Sequence, residues 1–338
     1  MTPAGDARPR AGSARGKKND QTRPGACSGV SVVIVNWNGR EDLVECLRSL
    51  RAQTDPDFEV IVVDNGSHDG SAKAALEEFP DVMLIETGSN LGFAEGCNRG
   101  IEAATQPWLL TLNNDTVADP NLLAVLRERI RCTSPLTGMI QVQMVFKDRP
   151  ALLNSTGIVL FDNGLARDRD VGLHVAECEH EAEVFCPTAG AALYRRSMLE
   201  QTRLPAGFFD RDYFMYFEDV DLGWRCRIAG WHATYAPEAR VRHGFQTSSQ
   251  RHGPSFLRIQ TRTNRLRSLI KNASKRFLLR SLSRTLWDVA SLFWLEGPKA
   301  VPRLARAIGQ SVRARAHVTR LQQTGRRAVE RQWAIRRR

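Results

Sequence analysis

The chain has no CxxC pair. Its seven cysteines, at positions 27, 46, 97, 132, 178, 186 and 226, are scattered through 338 residues. An odd, widely spaced set argues against a disulfide framework and against a zinc ribbon, and it favours a reducing compartment. Residues 1–28 consist largely of Gly, Ala, Arg, Pro and Ser. They hold no apolar run of the ~7–15 residues that a secretory signal needs after its charges, so they are expected to be disordered rather than a leader. No GxGxxG follows the first strand-like run, where NWNG stands instead, and dinucleotide binding is disfavoured. Nor is there a span of ~20 uncharged residues able to cross a bilayer. The most apolar stretch, Phe277 to Leu295, is interrupted by Arg280, Arg284 and Asp288. Composition at 42% apolar and 25% charged residues excludes wholesale disorder and collagen-like structure.

The formal charge of +11 is unevenly placed. Residues 29–250 carry 20 basic and 32 acidic side chains, whereas residues 251–338 carry 22 basic and 3 acidic ones. A protein that reads a phosphate backbone carries its positive patch on the folded body. Here the cation excess belongs to the tail. That distribution points to surface tethering, and the alternative of a nucleic-acid-binding protein working through the tail is the weaker reading.

From Val30 the pattern is that of an α/β protein. Val30 to Val35 and Val60 to Val63 are β-branched runs suited to strands buried on both faces. Val82 to Ile85 and Trp108 to Leu112 read as further strands. Helices are expected from the stripe Leu43, Val44, Leu47 and Leu50, over Ala72 to Phe79, and over Phe93 to Ala104. Asp119-Pro120 reads as a helix start, with Asp as N-cap. This alternation specifies a mostly parallel, doubly wound sheet, which binds ligands beyond the carboxyl ends of its strands. The polar residues Asn36, Asp64, Asn90 and Asn113-Asn114-Asp115 fall at or near those ends. Residues 166–183 read as a charged surface loop or lid, and the small residues around Gly190 and Ala191 allow close approach of backbone to a ligand.

Two acidic clusters carry the candidate chemistry. Asp115 ends a buried strand, where a carboxylate can hold a divalent cation against phosphate oxygens; taken alone, a turn-capping Asp explains it as well. Glu218-Asp219 lies among aromatics, and desolvation raises a carboxylate toward the range of a general base. Asp221 and Arg225, one helical turn apart, are expected to form a structural pair. His243 gains interest only beside an acidic metal site, where imidazole suits Mn2+. In the tail, Leu278, Leu282, Leu286, Val289 and Phe293 share one helical face and Arg276, Arg280 and Arg284 the opposite one. That pattern fits an interfacial helix as well as a helix docked on the body.

The ordered segments VIVNWNG, VVDNGSHDGS, NLGFAEGCNRGI, LLTLNNDT, GAALYRR and GFFDRDYFMYFEDVDLGWR, followed by an isolated His, together resemble the family 2 glycosyltransferases. The likeness is nearest to the rhamnosyltransferase-like branch that builds bacterial cell-surface polysaccharides. It covers residues 29–272, between the N-terminal segment 1–28 and the basic tail 273–338. It implies a GT-A fold with a nucleotide-binding half and an acceptor-binding half. It places Asn36 and Asp64 on the base and ribose of a dTDP-, UDP- or GDP-sugar, and Asn90 and Asn98 in the donor pocket. Asn113, Asn114 and Asp115 take the place of the DXD motif, with Asn113 replacing its first carboxylate. Asp115 and His243 become ligands of Mg2+ or Mn2+, Asp219 the catalytic base beside Glu218, and Gly190 and Ala191 neighbours of donor and acceptor. The implied reaction is inverting transfer to a lipid-linked or cell-surface glycan at the cytoplasmic face of a membrane. The tail is expected to make peripheral contact with that membrane or to mediate a homodimer.

Overall fold

The computed structural model describes residues 28–244 and 253–336. The expectation for residues 1–28 therefore lies, apart from Ser28, outside the described residues. Strands β1 (Val30–Asn36), β2 (Phe58–Asp64), β3 (Met83–Glu86) and β4 (Trp108–Asn113) alternate with helices α1 (Arg40–Arg51), α2 (Ser71–Glu78) and α3 (Phe93–Ala103). All four strands run parallel, in the order β3-β2-β1-β4. The apolar runs of β1, β2 and β4 are continuous because both of their faces are covered, whereas β3, at the edge, is only partly buried. Val33, Ile61, Val63 and Leu109 face one core, and Val32, Ile34, Val60, Val62 and Leu110 face the other.

The short strand β5 (Thr116–Ala118) and helix α4 (Leu122–Cys132) follow. The helix begins two residues later than the Asp119-Pro120 signal predicts. Gln53 explains the shift: its amide donates to the Asp119 carbonyl at 2.8 Å and accepts from the Leu123 N–H at 3.0 Å, doing the capping that Asp119 was expected to do.

The second half adds β6 (Thr137–Phe146), β7 (Leu153–Ser155), β8 (Ile158–Phe161), β9 (Ala166–Asp168), β10 (Ala182–Glu183) and β11 (Ala191–Arg195). Helices α5 (Arg196–Thr202) and α6 (Glu218–Ile228) and the long β12 (His232–His243) complete it. The main sheet extends as β4-β11-β6-β12-β10, with β11 antiparallel to both neighbours and β12 parallel to β6. The expected loop over 166–183 is partly a strand, since β9 pairs with β8.

The tail forms α7 (Pro254–Asn272), α8 (Lys275–Arg280), α9 (Leu282–Glu296), α10 (Ala300–Arg320), α11 (Arg326–Trp333) and β13 (Ala334–Ile335). Residue 272 does not mark a break in packing. Leu269, Phe277, Val318 and Val329 are buried in the core shared with β4 and α6, and β13 pairs with β8. Arg326 donates to the carbonyls of Lys271 and Asn272 at 2.8 and 2.9 Å, and the helix it caps is anchored in turn by buried ionic groups. Lys271 on α7 contacts Asp210 and lies 2.9 Å from Asp221, which also holds Arg225 at 3.4 Å. The expected Asp221–Arg225 pair is therefore one edge of a larger network that ties the tail to α6.

The apolar stretch 277–295 is not one helix; the chain breaks at Ser281 between α8 and α9. Helix α9 is also oriented opposite to a helix docked by its apolar stripe. Asp288 and Leu292 face inward, while Leu282, Leu286 and Phe293 are exposed. Asp288 pulls the polar side in, pairing with Arg265 at 2.8 Å and Arg284 at 3.1 Å. No described helix is long and apolar enough to cross a membrane.

Candidate active site

Strand register explains why distant segments meet. Asn36 is opposite Asp64, and Val35 is opposite Asn113, so β1, β2 and β4 end flush at one carboxyl edge. Because β11 runs the other way, its first residues lie at that same edge, where the Gly190 carbonyl accepts from the Asn113 N–H at 2.8 Å. Strand β12 ends there as well, with His243 opposite Thr116 of β5. These ends surround a cavity of about 440 Å³, within the size range of small-ligand sites. Its lining includes Asn90, Asn113, Asn114, Asp115, Gly190, Glu218, Asp219 and His243.

The other expected site residues sit behind that lining. Asn36 is fully buried: its Nδ2 donates to Ser67 Oγ at 3.2 Å and to Asp64 at 3.4 Å, and its Oδ1 accepts from Asn114 Nδ2 at 2.7 Å. Asp64 accepts from the Ser67 N–H at 3.1 Å. The pair thus fixes the turn after β1 and orients Asn114, while Trp37 and Asn65, which the sequence reading left out, reach the cavity. Asn98 is placed differently from the expectation. Its amide is engaged at both ends by Phe209, accepting from the N–H at 2.9 Å and donating to the carbonyl at 2.8 Å. It fastens α3 to the segment before α6 and does not line the cavity. Ala191 is buried in β11.

At one wall, His243 Nε2 lies 3.2 Å from Asp115 Oδ1 and 3.2 Å from Asn113 Nδ2. Its Nδ1 lies 2.9 Å from Asn154 Oδ1. A carboxamide oxygen only accepts, so Nδ1 is the donor to Asn154, and Nε2 is left facing both the Asn113 amide and the Asp115 carboxylate. One carboxylate and one imidazole, side by side at a cavity wall, form a donor set suited to Mn2+ or Mg2+. Among the described residues no group of three or more His, Cys, Asp or Glu could enclose a metal ion. Asn154, on β7, is a residue the sequence did not mark.

Another part of the lining is acidic. Burial pushes Asp219 up to about 6, helped by nearby Asp168 and opposed by the N–H groups of Val220 and Ala189, which donate to it at 2.7 and 3.3 Å. Glu218, buried and next to Asp219, is pushed well above the usual carboxylate range. Its Oε2 has no hydrogen-bond partner. Asp168, carried into the cavity by β9, is also raised by burial, against the pull of Ser155 and His243.

The segment that presents Glu218 is held in unusual backbone geometry. Phe214, Tyr216 and Phe217 have φ of 61°, 68° and 68°, a left-handed region costly for aromatic residues. Two contacts hold it. Asn264 on α7 donates to the carbonyls of Tyr213, Met215 and Tyr216 at 2.9–3.0 Å. Gly92 permits close approach, since a Cβ there would come within 2.5 Å of Phe214.

Residues 31–203 match the family described as Glycosyl transferase family 2. The chain belongs to that family. Over 249 residues, 67% of this chain and 79% of the relative, it is 30% identical to the N-acetylglucosaminyl-diphospho-decaprenol L-rhamnosyltransferase of Mycobacterium tuberculosis. The fold is that of GalNAc-T7, crystallised with UDP, GalNAc and Mn2+ (TM-score 0.65, 14% identity, 86% of this chain and 55% of that one). It is also that of the mannosyltransferase PcManGT of Pyrobaculum calidifontis, in complex with GDP-Man and Mn2+ (TM-score 0.51, 17% identity, 90% and 87%). The protein is a family 2 glycosyltransferase with the GT-A fold, and its chemistry is sugar transfer.

Proposed function

We propose that this enzyme transfers a sugar, rhamnose being the first candidate, from a dTDP-, UDP- or GDP-linked donor to a hydroxyl of a lipid-linked glycan at the inner face of a membrane. The transfer inverts the anomeric centre. The observation that carries the mechanism is the convergence of two acidic clusters on one cavity: Asp115 with His243 at one wall, Glu218 with Asp219 at the other. The relative that acts on a diphospho-decaprenol glycan supports the acceptor class and the sugar.

The division of labour follows from the two environments. Asp115 and His243 would hold a divalent cation, which when bound absorbs the charge developing on the departing diphosphate. Asn114, oriented by Asn36, and Asn90, which accepts from Asn65 at 3.1 Å, offer polar contacts along the donor side of the cavity. Asp219, pushed up only to about 6, is read as the ionised carboxylate at neutral pH, while burial and the neighbouring Asp219 push Glu218 well above the usual carboxylate range. Asp219 takes the proton from the acceptor hydroxyl as its oxygen attacks the anomeric carbon and the bond from that carbon to the phosphate oxygen breaks. A single base with no second carboxylate acting as nucleophile makes this one in-line displacement, hence inversion.

Replacing Asp219 by Asn keeps size and polarity but removes the base. Transfer should fall by roughly 10²–10⁴, while donor binding, read as the shift in melting temperature with nucleotide sugar and Mn2+, persists. Near-normal turnover in that variant would refute the assignment.

A further inference from the structure

The outer face of α9 is the least expected surface of the molecule. Leu282, Leu286, Trp287, Phe293 and Trp294 are all exposed on this 15-residue helix, Leu286 at 61% and Trp294 at 81%. Soluble monomers rarely leave so much contiguous apolar surface uncovered. The arrangement is enforced from within. Asp288 and Leu292 are buried on the inner side, and Asp288 is surrounded by Arg262, Arg265 and Arg284. The helix can satisfy that carboxylate only by turning its large apolar groups outward.

We propose that this face docks on an anionic phospholipid surface, with Leu286 and Trp294 entering the headgroup–acyl boundary. Charge selects the occupant. Exposed Lys275, Arg276 and Arg280 precede the face, and Lys299, Arg306 and Arg313 follow it. Residues 251–338 carry 22 basic against 3 acidic side chains. A second copy docked by two-fold symmetry would oppose this surplus with itself. Nucleic acid fits the flanks but not the face, whose one cation, Arg284, is bound to Asp288. Trp and Leu on one side with Lys and Arg around them match the interface of a negatively charged leaflet. Helix α7 connects the face to the reaction: Thr261 lines the cavity, and the next residue, Arg262, stacks on Trp287 with its guanidinium carbon 4.8 Å from the ring centre. A docked enzyme would thus hold its cavity close to the headgroups, where a lipid-linked acceptor presents its glycan. That purpose rests on the function proposed above; the docking itself does not.

The test is flotation of the full chain with phosphatidylcholine vesicles, with and without phosphatidylglycerol, in the absence of donor and acceptor. The wild type should float with the anionic vesicles and lose that binding in high salt. Leu286→Asp with Trp294→Asp, both at exposed positions, should weaken flotation by about tenfold or more while the far-ultraviolet circular dichroism stays native. A second pair, Leu282→Gln with Phe293→Gln, repeats the test should the first fail to fold. Failure of the wild type to float, or equal flotation of both variant pairs, overturns the proposal. So does a lipid-free dimer of the wild type that dissociates in the variants, which would assign the face to a second copy. Because no sugar transfer is measured, loss of docking and loss of the proposed activity are read separately.

Discussion

The two acidic walls of the cavity use the same residue type for opposite purposes. Asp115 sits at the end of regular β-structure, and its near neighbours are an imidazole and an amide. Asp219 sits after a backbone segment in left-handed conformation, and its near neighbours include the carboxyls Glu218 and Asp168. The first surrounding favours a cation; the second favours a proton. Environment, not residue identity, separates a ligand from a base. Each wall also has an amide brace brought from a separate element: Asn154 of β7 behind His243, and Asn264 of α7 behind the segment 213–217. If the comparison is right, removing each brace should damage a different step.

The larger effect is expected at Asn264. Its amide donates to three carbonyls of a strained loop, of which that of Tyr213 is shared with Gln260 while the carbonyls of Met215 and Tyr216 next to Glu218 depend on Asn264. Asn264→Ala should let Glu218 and Asp219 drift from position and lower kcat by about 100-fold, the scale of a 1 Å misplacement. Donor binding, which uses the other wall, should change little. A loss of donor affinity as large as the loss in kcat would mean that the walls are not independent.

At Asn154 the predicted damage is to the cation. Without its acceptor the His243 ring loses the partner that fixes its tautomer, and a second-layer group of this kind is worth about 10- to 100-fold in metal affinity. Asn154→Leu should weaken Mn2+ binding by that factor, measured by electron paramagnetic resonance in the presence of nucleoside diphosphate. The pH dependence of transfer should stay where it was, because the base is untouched.

Much of this comparison was legible in the sequence, and the illegible part has a physical cause. Buried strands ending in Asn36, Asp64 and Asn113 announce the sheet and its ligand-binding edge, since continuous β-branched runs and polar ends have few other solutions. Asp115 and Glu218-Asp219, which line the cavity, stood out because a carboxylate at a strand end or among aromatics is costly without a task. Asn154 and Asp168 were missed as site residues because nothing local marks them, and Asn264, in a segment noted only for its resemblance, was given no role; their work depends on which distant residue they face. The tail shows the same limit. Its period was read across a break at Ser281, and periodicity does not say which face turns inward; Asp288, read as an interruption, is the group that decides it. Asn98 erred in the opposite direction: its place in a motif implied a ligand contact, and its amide is consumed by Phe209.

The smallest effect, and the one that separates base from ligand without touching either wall's structure, is in pH. Asp219 titrates at about 6, raised from the ordinary value of 3.8 by burial and by Asp168. In the proposed mechanism its ionised form is the working one, so kcat/KM should fall by about tenfold per pH unit below that point. Its contribution to stability runs the other way. A carboxyl whose folded value is raised binds its proton more tightly in the native state. The stability it gives is full below about 3.8 and is lost as pH rises through about 6. Lowered carboxylates such as Glu59 and Glu183 act in the opposite sense, so the raw melting curve mixes both. The difference between wild type and Asp219→Asn isolates the one group: the variant should be the more stable protein at pH 7, with the gap closing toward pH 4. Should the gap instead persist at pH 4, or the wild type be the more stable at pH 7, Asp219 is held by an ion pair rather than by burial. It would then be the wrong carboxylate to call the base.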